Sequence, residues 1–387
     1  QGFPLVMFRF ASRCRSCVWA VCLLLGLASQ AQAAVSEPKP DARAWALIDV
    51  ASGRVLASRQ PDLPLSPASL TQLMTAYVLF HDLRANKLAL GEMVSVAPQA
   101  VEDDGARMFL KAGDQVSVDT LIQGMLVGSA VDAALALALA VDGNEAVFVA
   151  RMNAAAKKLG MSRSRFANVT GLSDPEQRAS AFDLALLARA LVRDFPERMH
   201  YFSQRSHVFR GIESYSGNLL LWRDPAVDGL KAGRTLEAGY ALAASAKRGG
   251  QRRVAVVLGA RNEAQRAAGA QTLLNHGFEA WESSLLYRGR QPVKTVEVYR
   301  GARDAVNLGF LADFHLLVGV GETARLKAQV ITRRPIVAPI ARGQRLGTLR
   351  LSLDGKPVAD YPLVALNDVA VAGLFGRGLD SIRLMFA

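Results

Sequence analysis

The chain is predicted to be α+β, an antiparallel sheet with helices packed on it, followed by a small β-sandwich. Three observations lead there. Residues 70–195 carry apolar stripes at helical spacing, residues 240–258 carry two apolar runs of strand length, and from about Gln291 short alternating runs separated by turn residues replace helical periodicity. At 387 residues the chain exceeds one ordinary domain, so a first domain over 41–290 and a second over 291–373 are expected.

The first 33 residues read as a secretory signal. Arg9, Arg13 and Arg15 precede an apolar run over 18–27, and Ala31-Gln32-Ala33 offers a small-residue cleavage site. That run is far shorter than the ~20 residues a spanning helix needs. Met7 is a candidate initiator within the same stretch. Cys14, Cys17 and Cys22 all fall inside the signal, so a processed chain has no thiol for disulfides, catalysis or metal binding, as suits an oxidising periplasm. The five histidines show no paired ligand spacing, and neither a metal nor another cofactor is expected. Removing three arginines lowers the formal charge from +12 to +9. The basic residues are dispersed, which leaves no nucleic-acid footprint and favours anionic wall polymer or lipid headgroups as partners.

Residues 44–58 alternate about Ser52-Gly53 and predict a β-hairpin. A helix follows, entered at Pro67, with Leu70, Leu73, Met74, Tyr77 and Val78 on one face and Ser69 at its start. Further helices are expected over 118–127, 130–141, 144–159 with Gly160 as the stop, and 180–195, the last opened by a Ser-x-x-Asp box and closed before Pro196. Gly128 and Ser129 form the turn between the first two of these. Strands are expected over 240–246 and 253–258, and in the second domain over 293–299, 326–331, 345–353 and 356–363, with Asp354-Gly355 turning the last pair. The final stretch, 374–387, puts Phe375, Leu379, Ile382 and Phe386 on one face of a short basic amphipathic helix, which suits the inner-membrane surface as well as docking on its own domain. Gly319-Val320-Gly321-Glu322-Thr323-Ala324 mimics a dinucleotide fingerprint but precedes a strand, not a helix, and Lys111-Ala112-Gly113 reads as a structural turn.

Three short segments carry chemistry. Ser69 opens a helix and is followed by Gln72 where a Ser-x-x-Lys site has its lysine. Ser129-Ala130-Val131 stands where Ser-x-Asn is expected, and Lys231-Ala232-Gly233 where Lys-Thr-Gly is expected. A serine nucleophile needs a proton acceptor, support for the oxyanion and contacts that place the substrate. Each triplet alone is common. Order, spacing and flanks supply the specificity: Pro67-Ala68-Ser69-Leu70-Thr71, Met108-Phe109-Leu110-Lys111-Ala112-Gly113, Asn168 with Gly171-Leu172, Leu220-Leu221-Trp222 and Val227-Asp228-Gly229-Leu230-Lys231.

On these residues the chain resembles the D-alanyl-D-alanine carboxypeptidases, the low-molecular-mass penicillin-binding proteins, over nearly its whole mature length. The resemblance implies a penicillin-recognising, β-lactamase-like domain followed by the β-sandwich. It also implies removal of the terminal D-alanine from peptidoglycan stem peptides through an acyl-enzyme, β-lactams as further ligands, and a periplasmic setting. By position it makes Ser69 the nucleophile, Ser129 the second-motif hydroxyl, and Lys231 and Gly233 the outer third-motif residues. The resemblance further implies that backbone N–H groups of Ser69 and Arg234 form the oxyanion hole, that Thr235 adjoins the substrate, and that Arg261 helps hold its carboxylate. Gln72, Val131 and Ala232 depart from the pattern. An amide has no useful basicity near neutral pH, and a lost general base costs about two to four decades in rate. The expectation is an impaired or inactive family member, the alternative being an active enzyme in which Lys231 deprotonates Ser69 through Ser129.

Overall fold

The computed structural model describes residues 36–102, 104–332 and 335–373. The expected signal segment and terminal amphipathic helix lie outside them. Strands β1 (Ala44–Asp49) and β2 (Val55–Arg59) form the expected hairpin, whose turn is fastened by the Asp49 carboxylate accepting from the Ser52 N–H at 2.7 Å and its hydroxyl at 2.6 Å. Three later strands complete an antiparallel five-stranded sheet in the order β2-β1-β5-β4-β3: β3 (Val227–Thr235), β4 (Gly239–Arg248) and β5 (Gln251–Ala260). The runs expected at 240–246 and 253–258 extend towards each other because Gly249 and Gly250, at φ of 53° and 80°, make the two-residue turn that right-twisted strands favour.

Every residue of β1 is buried, and alternate ones face different cores. Ala44, Ala46 and Ile48 pack with the helices on one face, while Trp45 and Leu47 pack with α6 (Glu263–Glu279) on the other. The helical face holds α1 (Thr71–Arg84), α2 (Val118–Gly128), α3 (Val131–Asp142), α4 (Glu145–Leu159) and α5 (Ala181–Asp194). Their ends follow the expected chemistry. The Ser117, Asn144 and Ser180 side chains accept from the first-turn N–H groups of α2, α4 and α5, and Gly160 closes α4 at φ 80°. Helix α1 is buried almost all round, which makes it the central post of the domain.

The second domain is built from β6 (Trp281–Tyr287), β7 (Pro292–Glu297), β8 (Ala305–Gly309), β9 (Phe314–Gly319), β10 (Leu326–Thr332), β11 (Arg345–Leu353) and β12 (Lys356–Ala365). Strands β6 and β9 pair, and the other five form a sheet in the order β7-β8-β12-β11-β10. Val306, Leu308, Leu316, Leu349, Leu351 and Leu363 fill the core between the sheets. Because β6 pairs with β9, strand pairing of this domain begins at Trp281 rather than at residue 291.

Candidate active site

Pro67 leads into a 3-10 turn, Ala68–Leu70, that runs straight into α1 and carries Ser69 at the positive end of the helix dipole. Ala68 has φ 49°, a left-handed conformation that costs an alanine of order 1 kcal/mol or more. Two glycines over-determine it. A Cβ at Gly171 would lie 2.1 Å from the Ala68 carbonyl oxygen, and one at Gly233 would lie 2.8 Å from the Ser69 nitrogen. Both positions must lack a side chain for the 168–172 loop and strand β3 to close on the serine. The third motif is thereby pressed against the backbone N–H that an oxyanion would use.

Gln72, the second residue of α1 and three residues after Ser69, is fully buried. Its Nε2 donates to the Ser129 carbonyl oxygen at 3.2 Å, and its Oε1 has no partner among the described residues. Ser129 ends α2 in the left-handed region at φ 61°, which turns its hydroxyl towards the sheet. Lys231 on β3 donates from Nζ to Ser129 Oγ at 2.5 Å and to the Leu126 carbonyl oxygen at 2.9 Å. The lysine is 2 % exposed, and burial pulls its pKa from 10.5 down to about 7.

The remaining expected residues divide. Val131 is buried, its N–H bonded to the Ala106 carbonyl at 2.8 Å and its Cγ2 seated where a Cβ on Gly105 would come within 2.9 Å. Ala232 packs beside Gly217, where an added Cβ would lie 3.2 Å away. Arg234 is exposed, its guanidinium 5.4 Å from the Tyr240 ring centroid. The Thr235 hydroxyl accepts from the Ala238 N–H at 2.9 Å and so closes the turn between β3 and β4. Arg261 is exposed and ion-paired to Asp41. The arginine that reaches the third motif is Arg266 on α6, which the sequence reading missed. It is nearly fully buried, donates to the carbonyls of Gly217 at 2.6 Å and Gly233 at 3.4 Å, pairs with Glu263 at 2.7 Å, and has no partner for Nε among the described residues. Asp132 was missed too, although it directly follows Val131. Its buried carboxylate accepts from the N–H groups of Met108 at 3.0 Å and Leu110 at 3.1 Å.

A serine at a helix start, a hydroxyl from an inter-helix turn and a lysine from the facing edge strand define a serine acyl-transfer scaffold of the penicillin-recognising class. Residues 31–262 match the family model described as D-alanyl-D-alanine carboxypeptidase, and residues 281–371 match that of the C-terminal domain of penicillin-binding protein 5. The D-alanyl-D-alanine carboxypeptidase DacC of Escherichia coli strain K12 is 39 % identical over 364 residues, spanning 92 % of this chain and 91 % of the relative. Penicillin-binding protein 5 from Haemophilus influenzae superposes with a TM-score of 0.84 at 34 % identity, covering 87 % of this chain and 99 % of that one. Penicillin-Binding Protein D2 from Listeria monocytogenes, in its ampicillin-bound form, matches 63 % of this chain and all of its own at 33 % identity, with a TM-score of 0.58. The chain belongs to the D-alanyl-D-alanine carboxypeptidase family.

Proposed function

We propose that this protein is an exported, catalytically impaired member of its family that binds peptidoglycan stem peptides in the cleft of Ser69, Ser129 and Lys231, with β-lactams as alternative ligands. The observation that carries the reading is Gln72. A buried amide stands one helical turn from Ser69, ties itself to the Ser129 carbonyl and offers no proton acceptor of useful basicity. Val131 and Ala232 support it, since each replaces a polar contact to substrate by an apolar surface, a loss of about 1 to 3 kcal/mol apiece. These losses act on one cleft and do not add. The retained elements favour binding: Lys231 is held beside Ser129, and β3 closes on Ser69 through Gly233. The signal-like segment supports a periplasmic setting, and the basic amphipathic stretch at 374–387 supports contact with the inner-membrane surface. Isothermal titration with purified muropeptides tests the reading: saturable binding that Lys231→Ala weakens is expected, and no binding counts against it.

One observation favours a working enzyme instead. Lys231 is buried among neutral oxygen atoms, its pKa is depressed to about 7, and it touches Ser129 Oγ. A neutral amine there can take the Ser129 proton while Ser129 takes that of Ser69. D-alanine release from a stem pentapeptide that disappears with Lys231→Ala would establish this second reading, and a background rate that survives the substitution would remove it.

A further inference from the structure

We propose that Phe109 is an aromatic platform for ligands on the second-motif side of the cleft, and that Asp132 is the positioning residue that holds it there. This rests on the reading that the cleft binds stem peptides and β-lactams. Phe109 has φ 58°, a backbone conformation that bulky side chains avoid, yet the residue is 61 % exposed. Burial of its own side chain therefore does not explain the conformation. Its neighbours explain how it is held. Met108 and Leu110 are buried, and both their N–H groups end on the Asp132 carboxylate. Met108 lies so close over Gly124 that a Cβ there would come within 1.9 Å of its sulfur. With both neighbours turned inward and both amides fixed on one buried anion, the residue between them is forced outward.

The same segment lies against the site. The Ala106 carbonyl accepts the Val131 N–H, and a Cβ on Gly105 would meet Val131 at 2.9 Å and Leu172 at 3.4 Å. Leu172 follows Gly171, which abuts Ala68 and Ser69. Leu172 and Val131 thus link the serine turn to the Ala106–Leu110 segment, from which Phe109 stands exposed. Where an asparagine would offer hydrogen bonds, the buried Val131 offers none, and the exposed apolar group on the adjoining segment is Phe109. The group an exposed ring recognises is an uncharged apolar or aromatic side group on the ligand.

Benzylpenicillin and 6-aminopenicillanic acid differ by a phenylacetyl group and make the probe pair. Their reversible binding is read by isothermal titration in a Ser69→Ala background of the mature protein. The platform predicts that benzylpenicillin binds about tenfold more tightly, that Phe109→Ala brings the ratio towards one, and that Phe109→Trp preserves it. Asp132→Ala lowers the ratio likewise in protein whose thermal transition shows it to be folded. Equal affinity for the two compounds in the parent, or a ratio that survives Phe109→Ala, overturns the platform and leaves cleft binding standing. Failure of both compounds to bind overturns the platform and the binding reading together.

Discussion

Two buried cations on the same sheet have opposite surroundings. Arg253 on β5 is fully buried and spends its donors on the Asp49 carboxylate, the Gln251 side chain and the carbonyls of Gly277 and Trp281, so it joins β1, α6 and the start of the second domain. Lys231 on β3 is nearly as deeply buried and, among the described residues, has only a hydroxyl and a carbonyl for partners. A buried charge with a matched anion is architecture. A buried cation with neutral partners sits poised between protonation states, which is how proton-transfer and substrate-anion sites are built. On the helix wall facing it, the buried position three residues after Ser69 is Gln72, an amide without useful basicity.

The comparison can be broken in several ways. The largest effect is expected at the architectural pair. Asp49→Ala strands the Arg253 charge and should destabilise the protein by about 3 to 5 kcal/mol in urea unfolding, whereas a comparable loss with Lys231→Met would erase the distinction. Next is pH. The folded-state pKa of Lys231 lies below its unfolded value of 10.5, at about 7, so between those values the unfolded chain binds the extra proton. Stability contributed at this site therefore rises with pH across that window, and below about pH 7 the full cost of a buried ammonium remains. Urea midpoints at pH 7 and pH 9.5 should show the natural chain gaining on Lys231→Met, and parallel behaviour would mean that the lysine is not desolvated. The smallest effect is at the third motif. Arg266→Lys keeps a cation but loses the planar fork to Gly217 and Gly233, and should weaken muropeptide binding about tenfold or less with little change in thermal midpoint. Arg261→Ala, at an exposed pair, should change neither.

What was legible in the sequence follows from what local chemistry encodes. The first hairpin, the capped helices and the Asp354-Gly355 turn announce themselves through residues whose conformational needs are local. The three motifs were legible because their identity and order survive, even with Gln72, Val131 and Ala232 in place of polar residues. Strands β8 and β9 escaped because each relies on a partner far along the chain, β8 on β12 beside its neighbour β7 and β9 on β6. Arg261 was expected at the site because, in Leu258-Gly259-Ala260-Arg261, it matches a basic position of the resembled family. The structure turns it to Asp41, while Arg266, one helical turn inside α6, reaches back to the Gly233 carbonyl. No periodicity distinguishes those two arginines. Asp132 has the look of a solvated first-turn acid, and only the tertiary fold brings Met108 and Leu110 to it.

Covalent labelling of the protein by a fluorescent penicillin, with Ser69→Ala as control and Gln72→Lys as the restoring variant, tests most directly whether the nucleophile is impaired. Little or no label is expected on the natural chain, and a Ser69-dependent gain of about two to four decades in labelling rate when Gln72→Lys returns the missing base. Rapid Ser69-dependent labelling of the natural chain would contradict that expectation and would show that Lys231, acting across Ser129, activates the nucleophile unaided.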